Sequence, residues 1–261
     1  MTRPMCIVLA LATLLFPGMA AAELQPHRAE YALRLGAAPN APRIGTALQE
    51  LTQDCSGWRL KRDITTEIAL TAAWKISVAS KLDGEESKGG NMFRYRAVQI
   101  QNGTERESKG RVERTGKEVR AEIAPSSSPG PLMLPAATMM PVAAMRHLIE
   151  RLGAGAASFP ALAFDAEVIG DVFLIDVTAL DSIRAARPAD KPVSLPAGKS
   201  WPVSMSFTRG RQQDQRPLFT VTALAFDSGV LDRFTVDTGL VSVTADLVSL
   251  KMHSPPVCPR S

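Results

Sequence analysis

Between His27 and Lys251 apolar residues recur at every second position, segment after segment, and only one segment breaks that rhythm. A period of two sends alternate side chains to opposite faces of a strand, so the chain is committed to β-structure before any other feature is weighed. His27-Arg28-Ala29-Glu30-Tyr31-Ala32-Leu33-Arg34-Leu35 reads as a first strand, and Pro39, Asn40 and Pro42 make Ala37 to Arg43 a turn. Thr46 to Gln53 continues as a strand. Trp58 to Ala72 alternates over a long span, with Trp58, Leu60, Ile64, Thr66, Ile68 and Leu70 on one face. Arg62 interrupts that face and reads as a bulge or a strand end. Trp74 to Ser80 follows with Trp74, Ile76 and Val78 on one side. Asp83-Gly84 and Gly89-Gly90-Asn91 read as turns, which leaves Glu85-Glu86 solvated between glycines.

Met92 to Gln101 and Glu105 to Glu113 flank Asn102-Gly103, the signature of a two-residue type I′ hairpin. The hairpin also accounts for Asn102-Gly103-Thr104 without invoking glycosylation. Lys117 to Ile123 is a further charged strand. Such polarity implies a sheet with one solvated face, which antiparallel sheets permit. Pro125 to Pro135 is a Ser/Pro/Gly connection.

Pro141 to Leu152 is the segment of different period. Val142, Met145, Ile149 and Leu152 recur at three and four residues, with Pro141 suited to the first turn and Gly153 to the C-cap. No neighbouring helix exists to cover this stripe. The sheet must do so, which places those four residues on its concave side as candidate cavity lining, with Arg146 and Glu150 in water. Ala161–Phe164, Asp171–Thr178, Trp201–Thr208, Phe219–Phe226, Val230–Asp237 and Leu240–Lys251 then read as strands. Asp227-Ser228-Gly229 and Asp237-Thr238-Gly239 are tight turns among the last three. The expectation is an all-β, mainly antiparallel sheet that curls on itself.

The start of the chain sets its compartment. Arg3 precedes an apolar run from Cys6 to Phe16 broken only by Thr13, then come Pro17-Gly18 and Ala20-Ala21-Ala22. This is the pattern of a Sec-type signal peptide over residues 1–22, leaving residues 23–261 as one domain exported to the periplasm. The apolar run is too short to span a bilayer, and no later stretch reaches the length a membrane helix needs, so no transmembrane protein is expected. After cleavage two cysteines remain, Cys55 and Cys258, and an exported chain with two cysteines is expected to pair them. They stand 203 residues apart, a closure worth roughly 5 kcal/mol in chain entropy.

Several functions are excluded on the residues. The formal charge of +4 comes from interleaved acids and bases rather than a basic patch, so no nucleic-acid partner is expected. Gly198-Lys199-Ser200 lacks the glycine of a phosphate loop, because Val193 stands there. No G-x-S-x-G occurs, and His27, His147 and His253 read as surface or capping residues. Asp54, Cys55, His253 and Cys258 lack metal-ligand spacing. No catalytic residue, cofactor or metal is implied. Met133, Met139, Met140 and Met145 form a cluster around the helix start that either fills core or lines a pliable lipid or peptide groove.

Four segments resemble the bacterial cell-envelope integrity family named after EipB. They are His27-Arg28-Ala29-Glu30-Tyr31-Ala32-Leu33, then Asp54-Cys55-Ser56-Gly57-Trp58, then Leu134-Pro135 through Pro141 into His147-Leu148-Ile149, and finally Cys258. The family's glycine-centred Phe/Tyr-Asp-Gly segment stands here as Phe164-Asp165-Ala166. The resemblance implies a periplasmic, spiral-like broken β-barrel of about 12–14 strands around one amphipathic helix, closed by the Cys55–Cys258 bridge. It also implies a role in envelope integrity under stress, with no catalytic residue to carry over.

Two functional readings follow. One is a non-enzymatic envelope-integrity factor acting through envelope protein partners or as a scaffold. The other is a carrier or sensor that binds a lipid, glycolipid or extended peptide in the mouth of the curled sheet. An apolar through-channel lined by strand residues and Met145 favours the carrier. A cavity packed shut, with an exposed apolar patch elsewhere, favours the scaffold.

Overall fold

The first and last strands of this chain lie side by side at the centre of one sheet. A computed structural model describes residues 24–69, 75–125, 130–168, 170–183, 193–210 and 216–259. The expected signal peptide lies outside those residues, as do residues 70–72 of the expected strand Trp58 to Ala72 and the first residue of the expected strand Trp74 to Ser80. Fourteen strands form a single antiparallel sheet: β1 (His27–Leu35), β2 (Arg43–Gln53), β3 (Gly57–Ala69), β4 (Lys75–Ser87), β5 (Met92–Gln101), β6 (Thr104–Thr115), β7 (Glu118–Ala124), β8 (Leu132–Leu134), β9 (Ser158–Asp165), β10 (Asp171–Ala179), β11 (Ser200–Arg209), β12 (Phe219–Phe226), β13 (Leu231–Asp237) and β14 (Ser242–Met252). Their spatial order is β8 back to β1, then β14 back to β9. The single described helix, α1 (Pro141–Gly153), runs between the two edge strands β8 and β9. The sheet is not closed. It is a spiral whose two ends are joined by the helix, as the sequence led us to expect.

The seam between β1 and β14 aligns His27 with Met252 and Leu35 with Val243, with a register shift between Glu30 and Tyr31. A second shift occurs against β2 between Leu33 and Arg34. The extra residues are Val248 on β14 and Ile44 on β2, one on each neighbour of β1, and bulges of this kind bend a strand and raise its twist. Across the seam Arg34 donates to both carboxylate oxygens of Asp246, the second contact at 2.9 Å, and both side chains are 5 % exposed. At the opposite end of the seam, beyond His27 and Met252, the Cys55–Cys258 disulfide, with Cα atoms 5.5 Å apart, joins the β2–β3 connection to the tail after β14. Ion pair and bridge therefore hold the two ends of the seam.

Gly84 corrects one reading. It is no turn but lies within β4, opposite Tyr95, and a Cβ there would meet the Phe93 ring at 2.6 Å. Gly110 on β6 does the same for Tyr95, whose ring atoms lie 2.5 to 2.7 Å from where its Cβ would be. Flat rings need bare backbone to lie on. The inward row of β4 is accordingly Val78, Ser80, Leu82, Gly84 and Glu86, at alternate positions.

Glu86 is a second correction. Instead of being solvated it is 3 % exposed and accepts hydrogen bonds from the first backbone N–H groups of α1, Val142 N at 2.7 Å and Ala143 N at 2.8 Å. The helix needs this, because its N-cap Met140 supplies no side-chain acceptor and its first turn holds no acid. A carboxylate at that end also complements the helix dipole. Burial nevertheless pushes the Glu86 carboxyl up to about 7, against the pull of the two N–H donors and the Arg146 guanidinium. The C-terminus also differs slightly from expectation. Ala154 is the C-cap, and the left-handed residue that ends the helix is Gly155, at φ 81°, rather than Gly153.

The segment between β8 and α1 spans the open edge. Arg114 of β6 donates to the carbonyls of Ala136 and Thr138, while Met139 exchanges backbone hydrogen bonds with β9 at Leu162 and Phe164, at 2.8 and 2.9 Å. Along its edge β9 is paired there alone among the described residues.

Three outcomes are expected. Arg34→Ala leaves a buried carboxylate unpaired and lowers stability by about 3–5 kcal/mol, whereas Arg28→Ala, from the exposed pair with Glu30, costs less than about 1 kcal/mol. Urea denaturation of both variants checks the contrast, and equal midpoints would remove the seam pair's role. Cys55→Ser lowers stability by no more than about 5 kcal/mol in oxidising buffer, and an unchanged melting temperature would count against the bridge. The folded-state pKa of Glu86 is raised, so its contribution is fully present below the ordinary carboxylate pKa of 4.5 and is lost as pH rises through about 7. That loss amounts to about 3 kcal/mol. Melting curves from pH 4.5 to 8 should therefore fall more steeply for the native protein than for Glu86→Gln. Parallel profiles would show that this carboxyl titrates normally.

Candidate functional site

The inward rows of the sheet and one side of α1 do not meet everywhere, and the gap is a cavity of about 500 Å³. Its walls come from both halves of the spiral: Leu60 and Ile64 on β3, Val78 and Leu82 on β4, Phe173 and Ile175 on β10, Met205 and Phe207 on β11. The helix closes it with Ala144, Met145, Leu148 and Ile149. Phe93, Tyr95 and Phe164 pack together nearby, with ring centroids 5.6 to 6.4 Å apart. A second aromatic group, Phe173, Phe207 and Phe219, has centroids 4.6 to 5.5 Å apart and belongs entirely to the cavity wall. The volume lies within the roughly 300–1,000 Å³ range of small-molecule sites.

One corner of this apolar space is polar. Arg62 on β3 and Ser80 on β4 occupy inward positions between apolar neighbours of the same row, and Gln99 on β5 follows Ala97 in its inward row. They converge on Glu167, in the connection between β9 and β10. Arg62 pairs with the Glu167 carboxylate, Ser80 Oγ donates to it at 2.9 Å, and Gln99 Nε2 donates to the Glu167 carbonyl. Arg62 also reaches Gln49 Oε1 on β2 at 3.4 Å. The Arg62 side chain is 32 % exposed and that of Glu167 7 %, so the pair spans from solvent to interior. Asp165 lines the same corner, but its carboxylate accepts the Val168 N–H at 2.7 Å within its own loop. Asp165 also joins burial in pushing the nearby Tyr95 hydroxyl up to about 12, so that phenol is neutral.

Of the four helix residues singled out from the sequence, Met145 and Ile149 line the cavity. Val142 and Leu152 are 2 % exposed and packed into the adjoining core. Arg146 is half-buried and Glu150 is exposed. Neither cysteine touches the cavity. Arg62 is no bulge, since β3 runs in unbroken register against both β2 and β4 through that position. The polar interruption marks the site instead, and it was the signal by which the site could have been found. Glu167, from a loop with no periodic pattern, carried none.

The histidines divide. His27 is fully buried rather than exposed, with Nδ1 2.8 Å from the Gln25 carbonyl, and burial holds its pKa below the ordinary value. His147 stands edge-on to Phe159 at 5.8 Å. His253 Nε2 is enclosed without a partner among the described atoms. The methionines do not share one groove: Met140 is fully buried, Met145 faces the cavity and Met133 is half exposed.

No helix among the described residues is long and apolar enough to cross a membrane. A comparison with curated protein sequences finds no match. Among solved structures, a β-barrel-like protein of the domain of unknown function DUF1849 from Brucella abortus superposes with a TM-score of 0.74 at 20 % identity, covering 88 % of this chain and 99 % of that one. That likeness establishes a shared fold. A family model described as EipB-like matches residues 19–254, which takes in every strand, the helix and the cavity. This chain belongs to the EipB-like family.

Proposed function

We propose that this protein is a non-enzymatic periplasmic component of the cell envelope that holds the apolar chain of a lipid-like molecule between its helix and its curled sheet. The cavity carries the reading. Both halves of the spiral and Met145 line it, and it is an open apolar space rather than one packed shut, which favours a carrier over a scaffold. An apolar chain placed there gains about 0.8 kcal/mol for each methylene removed from water. Methionine and the surrounding aromatic edges adapt to chains of different shape at little cost. By contrast, the large apolar side chains exposed on the surface, such as Met133, Leu195, Leu240 and Val257, lie far apart in the sequence on different strands and loops. Family membership supports the envelope setting. A role in envelope integrity then rests on delivery or sensing of such a molecule.

Ala161 on β9 lines the cavity, and Ala161→Trp would project an indole into it and obstruct it without replacing a large core side chain. Protein purified from the envelope should release an amphiphilic small molecule on extraction with organic solvent, detected by mass spectrometry. The Ala161→Trp variant should release none while melting as a single folded species. Retention of the same molecule by this variant would place it elsewhere and overturn the reading.

A further inference from the structure

Arg62 is costly where it stands. It sits at an inward position between Leu60 and Ile64, where a third aliphatic residue would complete the wall, yet the chain places a guanidinium there. Among the described residues lining the cavity it is the one base. Its partner is not part of the sheet. Glu167 belongs to the short connection between β9, ending at Asp165, and β10, beginning at Asp171, and it reaches Arg62 across 105 positions of sequence.

We propose that Arg62 is the anchor for the anionic head of an amphiphile whose chain lies in the cavity, and that Glu167 is an internal stand-in for that head. The proposal rests on the cavity being a ligand site and names the class of ligand it takes. A guanidinium presents a rigid fork of donors matched to a carboxylate or phosphate, and the Glu167 carboxylate already demonstrates the fit. A ligand carboxylate arriving at the cavity end of Arg62 replaces one anion by another, so the desolvated cation is never left unpaired. Glu167 can leave without breaking a ladder hydrogen bond of the sheet. Ser80 and Gln99 then stay behind as donors for the incoming head. Asp165 does not compete for Arg62 through its loop-bound oxygen, since that oxygen is held by Val168 N–H. Displacement of Glu167 also frees the β9–β10 connection from β3, β4 and β5, so ligand binding is reported on the surface as a change in one loop.

Isothermal titration of the full chain with dodecanoate, 1-dodecanol and acetate, each below its aggregation limit, tests this. Dodecanoate should bind about tenfold or more tightly than dodecanol, and acetate should not bind measurably. Arg62→Gln should bring dodecanoate down to the dodecanol level. Glu167→Gln, which removes the competing anion, should tighten dodecanoate several-fold and leave dodecanol unchanged. Circular dichroism melting confirms that both variants fold. If dodecanol and dodecanoate bind equally well, or if neither variant changes their ratio, the anchor falls while the carrier reading stands. If acetate binds as well as dodecanoate, the site is an anion site without a chain and the amphiphile is refuted. If neither long-chain probe binds, both readings fall.

Discussion

Everything in this molecule depends on the pairing of its first strand with its last. β1 and β14 are neighbours at the centre of a fourteen-stranded sheet, and without that ladder the chain would be two separate sheets tied by one helix. The contact is among the most expensive a chain can make, because its loop-closure entropy must be met before any local gain rewards it. The residues at the seam reflect that expense. Arg34 and Asp246 form a bidentate pair out of water, where losing either partner strands a charge. The disulfide ties the other end of the seam and removes closure entropy from the unfolded chain before folding begins. Twist from the bulges on β14 and β2, on either side of β1, then sends the two halves of the sheet around toward each other.

Once the halves face each other, the helix becomes necessary. An antiparallel sheet of this length exposes an apolar face that must be covered, and α1 is the element between the edges that can cover it. Its position is fixed at one end by Glu86, a carboxylate from the far side of the interior bonded to its first two free N–H groups. Covalent continuity and the Met139 bridge to β9 fix the rest. A narrow helix laid along a wide concave face cannot fill it. The cavity is the remainder, and small residues, Ala144 on the helix and Ala161 and Ala163 on β9, contribute to its lining.

Most of this architecture is legible in the sequence, for a physical reason. Strand alternation, the Asn102-Gly103 hairpin and the helix stripe are local signals, and each is set by side-chain chemistry within a few residues. What misleads is any residue whose local meaning is overridden by a distant partner. Gly84 has the composition of a turn, yet its lack of a side chain serves the Phe93 ring one strand away. Glu86 looks solvated beside Glu85, yet it caps a helix that begins 55 residues later at Pro141. His27 looks like a terminal residue, but the strand it opens is the central one, so it is buried. Arg62 carries the strongest local signal of the site. A charged residue in an otherwise apolar row is either a break in the strand or a functional choice, and the unbroken register on both sides excludes the break.

The open edge distinguishes this spiral from a closed barrel in a way that bears on how such a cavity works. In a barrel the bore is fixed by strand number and shear, because every strand is tied on both sides. Here β8 and β9 are not paired with each other, and the gap between them is bridged by a single segment through Arg114 and Met139. The walls can therefore move apart at the edge without breaking any of the thirteen ladders that order the sheet. The Arg62–Glu167 pair ties the β9–β10 end back to β3, opposing that movement at the polar corner. Rigidity at the seam and compliance at the edge are two consequences of one topology. The residues that hold the molecule together, Arg34, Asp246 and the two cysteines, lie apart from those lining the cavity, so the interior can yield to an apolar chain while the seam keeps its register.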